Sequence, residues 1–289
     1  MPPRSFPAQM IEHYGRGYGS IISAYLYKRK LLTFQRLTGD GRIHSMENNK
    51  ETAIFNRNQI KYILILAMLI DHIAWSFVPF MSPLGQTMHI IGRLTGPGMS
   101  LLLAEGYQYT RDRKKYALRL FIFSVITWIP YSIYYHGKWP YFGMDMFGMI
   151  FTLWTAFMTV WMWDKFKAKK AVKILLVVTG CALSLLGDWC IWAVLWALFA
   201  YIWRDDPKKK WISFSVVGIV ETILAMVMSK GIAGGLFQLG AFLVPVLLTC
   251  FYNGKPGSRK PFHKWFFYVF YPLHLLVIYL VVMYIRTHP

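Results

Sequence analysis

Apolar runs of about twenty residues are the feature that most constrains this chain. They recur from Ile60 to Ile285, and each has the length at which a helix crosses about 30 Å of hydrocarbon. A membrane barrel would instead alternate apolar and polar residues in segments of about ten, and that pattern is absent from the sequence. Twelve Trp and twenty-one Phe gathered into such blocks suit no soluble domain of 289 residues. The sequence therefore predicts an all-α, polytopic integral membrane helical bundle of about nine transmembrane helices. These fall at roughly 60–80, 86–107, 117–135, 144–163, 172–186, 189–203, 211–229, 236–251 and 265–285. The fifth is short, and a tight turn at Gly187-Asp188 joins it to the sixth.

The formal net charge of +19 is confined to short clusters between the apolar runs. That placement fits loops facing anionic lipid, and argues against a nucleic-acid partner. One alternating set of loops carries seventeen Lys and Arg, while the other carries only Lys138 and Lys230. The rich set belongs in the cytoplasm by the positive-inside rule. The chain is then a multi-pass protein of the cell membrane, with its N-terminus inside and its C-terminus, with Arg286, outside. Cys181, Cys190 and Cys250 lie in or beside apolar runs at no metal-ligand spacing, so they read as buried free thiols.

Residues 1–56 differ from the rest. They are basic, carry Pro2, Pro3 and Pro7, and show no sustained helical period. They read as a disordered cytoplasmic tail, or, as far as residue 45, as an extension ahead of a true start at Met46. Residues 57–289 form the transmembrane domain. The glycines at 15, 17 and 19 follow no strand and precede no P-loop lysine, so no nucleotide site is read there.

Ionisable residues inside apolar helices are costly and mark a functional site by default. Asp71, His72, His89, Arg93, Arg119, Asp145, Glu221 and His274 all lie within the runs, with Glu105 near a cytoplasmic end and Asp188 on an outer turn. At about 1.5 Å per residue, His72 lies about 18 Å from the cytoplasmic edge, His274 about 14 Å and Arg93 about 19 Å. Three groups at similar depth can build one site. Asp71 and His72 point about 100° apart on their helix, so they do not pair with each other on one face. Asp71 needs a cationic partner, with Arg93 and Arg119 the candidates, and a purely structural ion pair is an equal reading. Gly92 and Gly96 flank Arg93 in a small-xxx-small face, and Pro97 is expected to kink the same span. His274 alone would read as an interhelical hydrogen-bonding residue; its company raises the functional reading. No span carries His or Cys at i, i+3 or i, i+4, so no metal is expected. Glu221, Asp145 and Asp188 receive no role.

The stretch Leu66-Ala67-Met68-Leu69-Ile70-Asp71-His72-Ile73 opens an ordered set of pieces. It is followed by Ile91-Gly92-Arg93 with Pro97, Glu105-Gly106-Tyr107 with Thr110-Arg111, Tyr116 with Arg119-Leu120, and Phe267-Tyr268 with Tyr271-Pro272-Leu273-His274-Leu275. Taken together, from about residue 57 to 285, these resemble the TraX family of membrane proteins. The family takes its name from an F-pilin N-acetylation protein, and its bacterial members are treated as acyltransferases. They look akin to a wider group that includes lysosomal heparan glucosaminide N-acetyltransferase. Two positions depart from the family pattern: Gly98 stands where a large apolar residue is expected. Gly148 stands where an Asn is expected, with Asp145 a turn earlier.

The resemblance implies acyl transfer from acyl-coenzyme A, such as acetyl-coenzyme A, to an amine or hydroxyl. The acceptor is a pilin-like peptide or a glycan of the cell surface, and no cofactor is held permanently. In that chemistry His72 is the base or a transient acyl carrier, and Arg93 stabilises the oxyanion. Asp71 joins them as a carboxylate in need of Arg93 or Arg119, and His274 positions the acceptor or protonates the leaving thiolate. Arg111, Arg113, Lys114, Lys115 and Arg119 are the candidate docking surface for the coenzyme phosphates, although the positive-inside rule alone accounts for most of that cluster. Two rival classes remain: a proton-coupled or substrate transporter, though no internal repeat is visible, and a non-catalytic assembly subunit for surface-polymer export.

Overall fold

The computed structural model describes residues 53–167 and 169–288; the expected N-terminal tail, as far as residue 52, lies outside them. Ten α-helices follow one another: α1 (Arg57–Phe77), α2 (Pro83–Gly92), α3 (Thr95–Tyr109), α4 (Arg113–His136), α5 (Met149–Lys165), α6 (Lys170–Ser184), α7 (Cys190–Ile202), α8 (Pro207–Met228), α9 (Leu243–Val246) and α10 (Pro261–Thr287). A 3-10 segment, Leu236–Phe242, precedes α9, and a π turn, Leu247–Phe251, follows it. Among the described residues there is no strand beyond two isolated bridges, Phe55 to Tyr252 and Phe147 to Gly187. The described part of the chain is all-helical, and α1, α4, α8 and α10 are each long and apolar enough to cross a membrane.

The helix starts are written in the sequence. Asn56 accepts from the Gln59 N–H, while its own N–H donates to the Gln59 side chain, closing a capping box. Ser82 before Pro83 starts α2. Asp112 and Asp206 accept from the backbone N–H groups of Lys115 and Lys209 at the starts of α4 and α8. Those hydrogen bonds hold both carboxyls below the ordinary carboxylate range. Gly137 at φ 66° ends α4 in the left-handed conformation that favours glycine.

Burial separates centre from rim. The middle of α7 is fully enclosed, with Ala193, Val194, Trp196 and Ala197 at most 1% exposed, and α3, α5 and α8 pack around it. Much of α4, α8 and α10 faces outward through large apolar side chains, among them Phe121, Val125, Ile219, Ile223, Val277 and Leu280. Apolar surface on this scale is unfavourable in water and fits lipid.

Three expectations change. The span placed at 86–107 is not one helix but two, α2 and α3, broken at Arg93-Leu94. Ten residues of α2 reach about 15 Å, half a bilayer core. Arg93 stands four residues before Pro97, whose ring would meet the Arg93 carbonyl in a continuous helix, so Pro97 interrupts the span where a kink was expected. Pro97 itself lies in the first turn of α3, where a missing N–H costs nothing. Gly92 and Gly96 consequently serve different neighbours, since a Cβ on Gly92 would lie 2.4 Å from Asp71 and one on Gly96 2.2 Å from Trp189. The span at 236–251 is a composite of 3-10, α and π turns, with Gly240 packed on the α2 backbone so closely that a Cβ would sit 2.0 Å from the Ile90 carbonyl oxygen. The cysteines are not buried: Cys250 is exposed, and Cys181 and Cys190 are half-buried, Cys190 because it is the first residue of α7, ahead of that helix's enclosed middle.

Candidate active site

Asp71 and His72 diverge from α1 as helix geometry requires, and each finds its own partner. Asp71 turns to α2, where His89 Nδ1 donates to Oδ1 at 2.8 Å and Arg93 donates to Oδ2 at 2.6 Å. The absence of a side chain at Gly92 gives the carboxylate its room. The Arg93 guanidinium lies over the rings of Trp189 and Phe237 at 4.7 and 5.1 Å. A carboxylate left unpaired at this depth would cost several kcal/mol, so the two bonds set the place of α2 against α1. Arg93, not Arg119, is the partner of Asp71.

His72 turns instead to α10. Its Nδ1 lies 2.6 Å from His274 Nε2, with the ring planes 8° apart and the centroids separated by 4.9 Å. Nearly parallel rings whose nitrogens approach this closely cannot be stacked face to face. They lie side by side in one plane, as a hydrogen bond along the nitrogen lone pair requires. The His274 Nδ1 donates to the Phe270 carbonyl oxygen at 2.9 Å, and a carbonyl can only accept. With both imidazoles neutral, His274 Nε2 is therefore an acceptor, and His72 Nδ1–H is its donor. The lone pair of His72 is then on Nε2, which has no hydrogen-bond partner among the described residues. Tyr134 supports the arrangement by donating to the His72 carbonyl oxygen at 2.7 Å.

Two cavities meet beside this pair. The smaller, about 120 Å³, is lined by Asp71, His72, Trp75, Arg93, Tyr135, Asp188 and Trp189 among others. The larger, about 310 Å³, has Arg57, Lys61, Arg119, Arg259, Lys260 and Lys264 in its lining. Met68, Thr95, Met149 and Tyr271 line both. His274 lines neither; it stands behind His72, 5% exposed.

Of the five basic residues singled out just before α4 and in its first turns, Arg119 alone lines either of these two cavities. Its Nε is buried without a hydrogen-bond partner. Arg113 is held by Asp164 at 3.1 Å and lies over Tyr107, and Lys115 pairs with Asp112 at 3.3 Å. Arg111 and Lys114 are exposed. Asp164 also accepts from the hydroxyls of Tyr107 and Tyr201, tying the ends of α3, α5 and α7 together. Glu105 is engaged by Arg57 at 2.6 Å and by the Tyr252 hydroxyl. Glu221 is buried with Oε2 unpartnered.

Sequence reasoning missed the basic residues at the heads of α1 and α10. The signal was present: Arg57 and Lys61 are four apart and share a helix face, and Lys260 and Lys264 stand at the cap and in the first turn of α10. It also passed over Tyr271, the first residue of the Tyr-Pro-Leu-His stretch.

The model of the TraX protein family matches residues 56–282. A relative named as a probable fimbrial assembly protein FimC, serogroup H1, from Dichelobacter nodosus, is 28% identical over 232 residues, covering 78% of this chain and 94% of its own length. No solved structure matches significantly. With more than half its length matched, and with His72 and His274 inside the matched residues and in contact, the chain belongs to the TraX family.

Proposed function

We propose that the protein is an acyltransferase of the cell membrane. It takes an acyl group from acyl-coenzyme A in the larger cavity and passes it to an amine or hydroxyl in the smaller one. The observation that carries this is the in-plane His72–His274 pair, which leaves His72 Nε2 as an uncommitted lone pair. His72 lines a cavity that shares part of its wall with a second cavity of basic lining. The fimbrial assembly role in the name of the relative suits a peptide acceptor at the membrane.

The larger cavity offers what acyl-coenzyme A needs. Arg119, Lys61, Lys260 and Lys264 supply cations for the phosphates, while Ile65, Leu102, Leu103 and Ile150 give an apolar sleeve for the pantetheine arm. The thioester then rests where the cavities adjoin. His72 Nε2 takes the proton of the attacking nitrogen or oxygen, the new bond to the acyl carbon forms, and the carbon–sulfur bond breaks. The proton passes from His72 to the leaving thiolate, so the reaction releases acylated acceptor and free thiol. His274 acts from behind, holding His72 in the tautomer that leaves Nε2 free and sharing the charge that His72 gains. Asp71 and Arg93 fix the wall opposite.

In this reading the loops rich in Lys and Arg face the cytoplasm, so the basic cavity admits its ligand from that side. Helices α2 and α3 together make one of about nine crossings, with the N-terminus inside and the C-terminus outside. Broken helices are tolerated at such depth where they line a cavity. The test is saturable binding of radiolabelled acetyl-coenzyme A to the purified full chain in detergent, with slow hydrolysis when no acceptor is given. Absence of binding overturns the proposal and favours a transporter or an assembly subunit.

A further inference from the structure

Tyr271 occupies the place where the two cavities meet. It is 5% exposed, and its hydroxyl oxygen accepts the Met149 N–H at 3.0 Å, so it lies beside another residue common to both cavities. Met149 is the first residue of α5, where N–H groups lack intrahelical partners, and the hydroxyl satisfies one of them. The bond also sets the oxygen near the positive end of the helix dipole. Gly148 makes the approach possible, since a Cβ there would lie 2.7 Å from the hydroxyl oxygen.

The four shared residues can be compared as donors. Met68 and Met149 have no donor side chain, and the Met149 N–H is committed to Tyr271. Thr95 spends its hydroxyl hydrogen on the Leu64 carbonyl oxygen at 2.9 Å. Tyr271 alone has accepted through its oxygen and still holds a hydrogen to give. Arg93, the oxyanion stabiliser expected from the sequence, gives Nη2 to Asp71, keeps Nε buried without a partner, and lines only the smaller cavity, whereas Tyr271 lines both.

We infer that Tyr271 is a catalytic residue that donates a hydrogen bond from its hydroxyl to the acyl carbonyl oxygen as that oxygen gains charge. The inference rests on the acyl-transfer reading above. The acceptor attacks the thioester carbon, the carbonyl electron pair moves onto oxygen, and the Tyr271 O–H meets it. The pair returns as the thiolate departs, and Tyr271 keeps its proton throughout. An α5 N–H already bonded to the oxygen strengthens the outward O–H by polarisation.

The experiment compares Tyr271→Phe with the unchanged full chain in detergent. Three readouts are taken: acetyl-coenzyme A turnover, affinity for a dethia analogue that keeps the carbonyl but replaces sulfur with methylene, and affinity for S-ethyl-coenzyme A, which lacks the carbonyl. Loss of one oxyanion donor lowers turnover by about 10²-fold or more. Affinity for the S-ethyl thioether stays unchanged, and the preference for the carbonyl analogue shrinks. A structural role through the Met149 bond alone would alter both analogues equally. Full turnover per folded molecule in Tyr271→Phe, or an equal loss for both analogues, overturns the inference while leaving acyl transfer standing. An unchanged chain that binds none of these ligands removes both.

Discussion

The pairing of Asp71 with Arg93 predicts a large thermodynamic coupling. The two side chains are 7% and 13% exposed and meet at 2.6 Å. Arg93→Gln leaves the carboxylate ionised with only His89 on Oδ1, and Asp71→Asn leaves a buried guanidinium without its counter-ion. Either change alone costs about 3–5 kcal/mol, most of it the desolvation of the charge left behind. The double variant removes both charges and keeps an amide pair of similar volume, and the Asn can still accept from His89. Its cost is about 1–2 kcal/mol, the size of a hydrogen bond weakened rather than orphaned. The coupling energy then reaches at least about 4 kcal/mol, above the roughly 0.5–3 kcal/mol usual for residues in contact, because each single change strands a buried charge. The assay is equilibrium unfolding by sodium dodecyl sulfate in mixed micelles, followed by Trp fluorescence, for the four members of the cycle. Losses that add within about 0.5 kcal/mol would refute the pairing and with it the account of how α2 is placed.

Three other outcomes follow from the same geometry. His274→Ala removes the acceptor of the His72 Nδ1–H and lowers turnover by about 10–100-fold, by analogy with outer-shell partners that orient a histidine. Acetyl-coenzyme A affinity holds, and His274→Gln, whose amide oxygen can accept, recovers part of the loss; an Ala variant with full turnover contradicts the tautomer assignment. Arg119→Gln weakens coenzyme A binding about tenfold, the worth of one charge-assisted hydrogen bond, whereas Arg113→Gln, at a residue engaged by Asp164, leaves it unchanged; the reverse order in titrations with labelled coenzyme A would return the docking surface to the basic cluster at the start of α4. Cysteines placed at positions 167 and 209 should be shielded from an impermeant thiol reagent in intact cells, and those at 138 and 230 labelled, with the native cysteines replaced; inverted labelling would overturn the orientation and the cytoplasmic entry of the coenzyme.

The helices were legible because lipid length and capping chemistry are local. Asn56 with Gln59, Ser82 with Pro83, Asp112 and Asp206 each declare a helix start in adjoining residues. The break at Arg93-Leu94 was legible only as a kink expected of Pro97, not as two helices. Its hydropathy continues unbroken, and the bond that stabilises it, from Thr95 to the Leu64 carbonyl oxygen, joins residues of different helices. Asp71, His72, Arg93 and His274 stood out because each is a charged or polar group in an apolar helix. Which partner each takes depends on tertiary contacts such as the void at Gly92, and only the structure puts His274 behind His72 rather than in the cavity. The basic mouth was hidden for another reason. A loop cluster that the positive-inside rule already explains drew the eye from Arg57 and Lys61, which the first turns of α1 carry to the larger cavity.

Hydrolysis of acetyl-coenzyme A by His72→Ala, measured per folded molecule beside its melting temperature and its affinity for the same ligand, bears most directly on the central claim. A general base contributes about 10²–10⁴-fold, so the account predicts a fall of that order with binding retained and the fold intact. Hydrolysis at the rate of the unchanged chain would contradict it and reduce the Asp-His pair to a feature of helix packing.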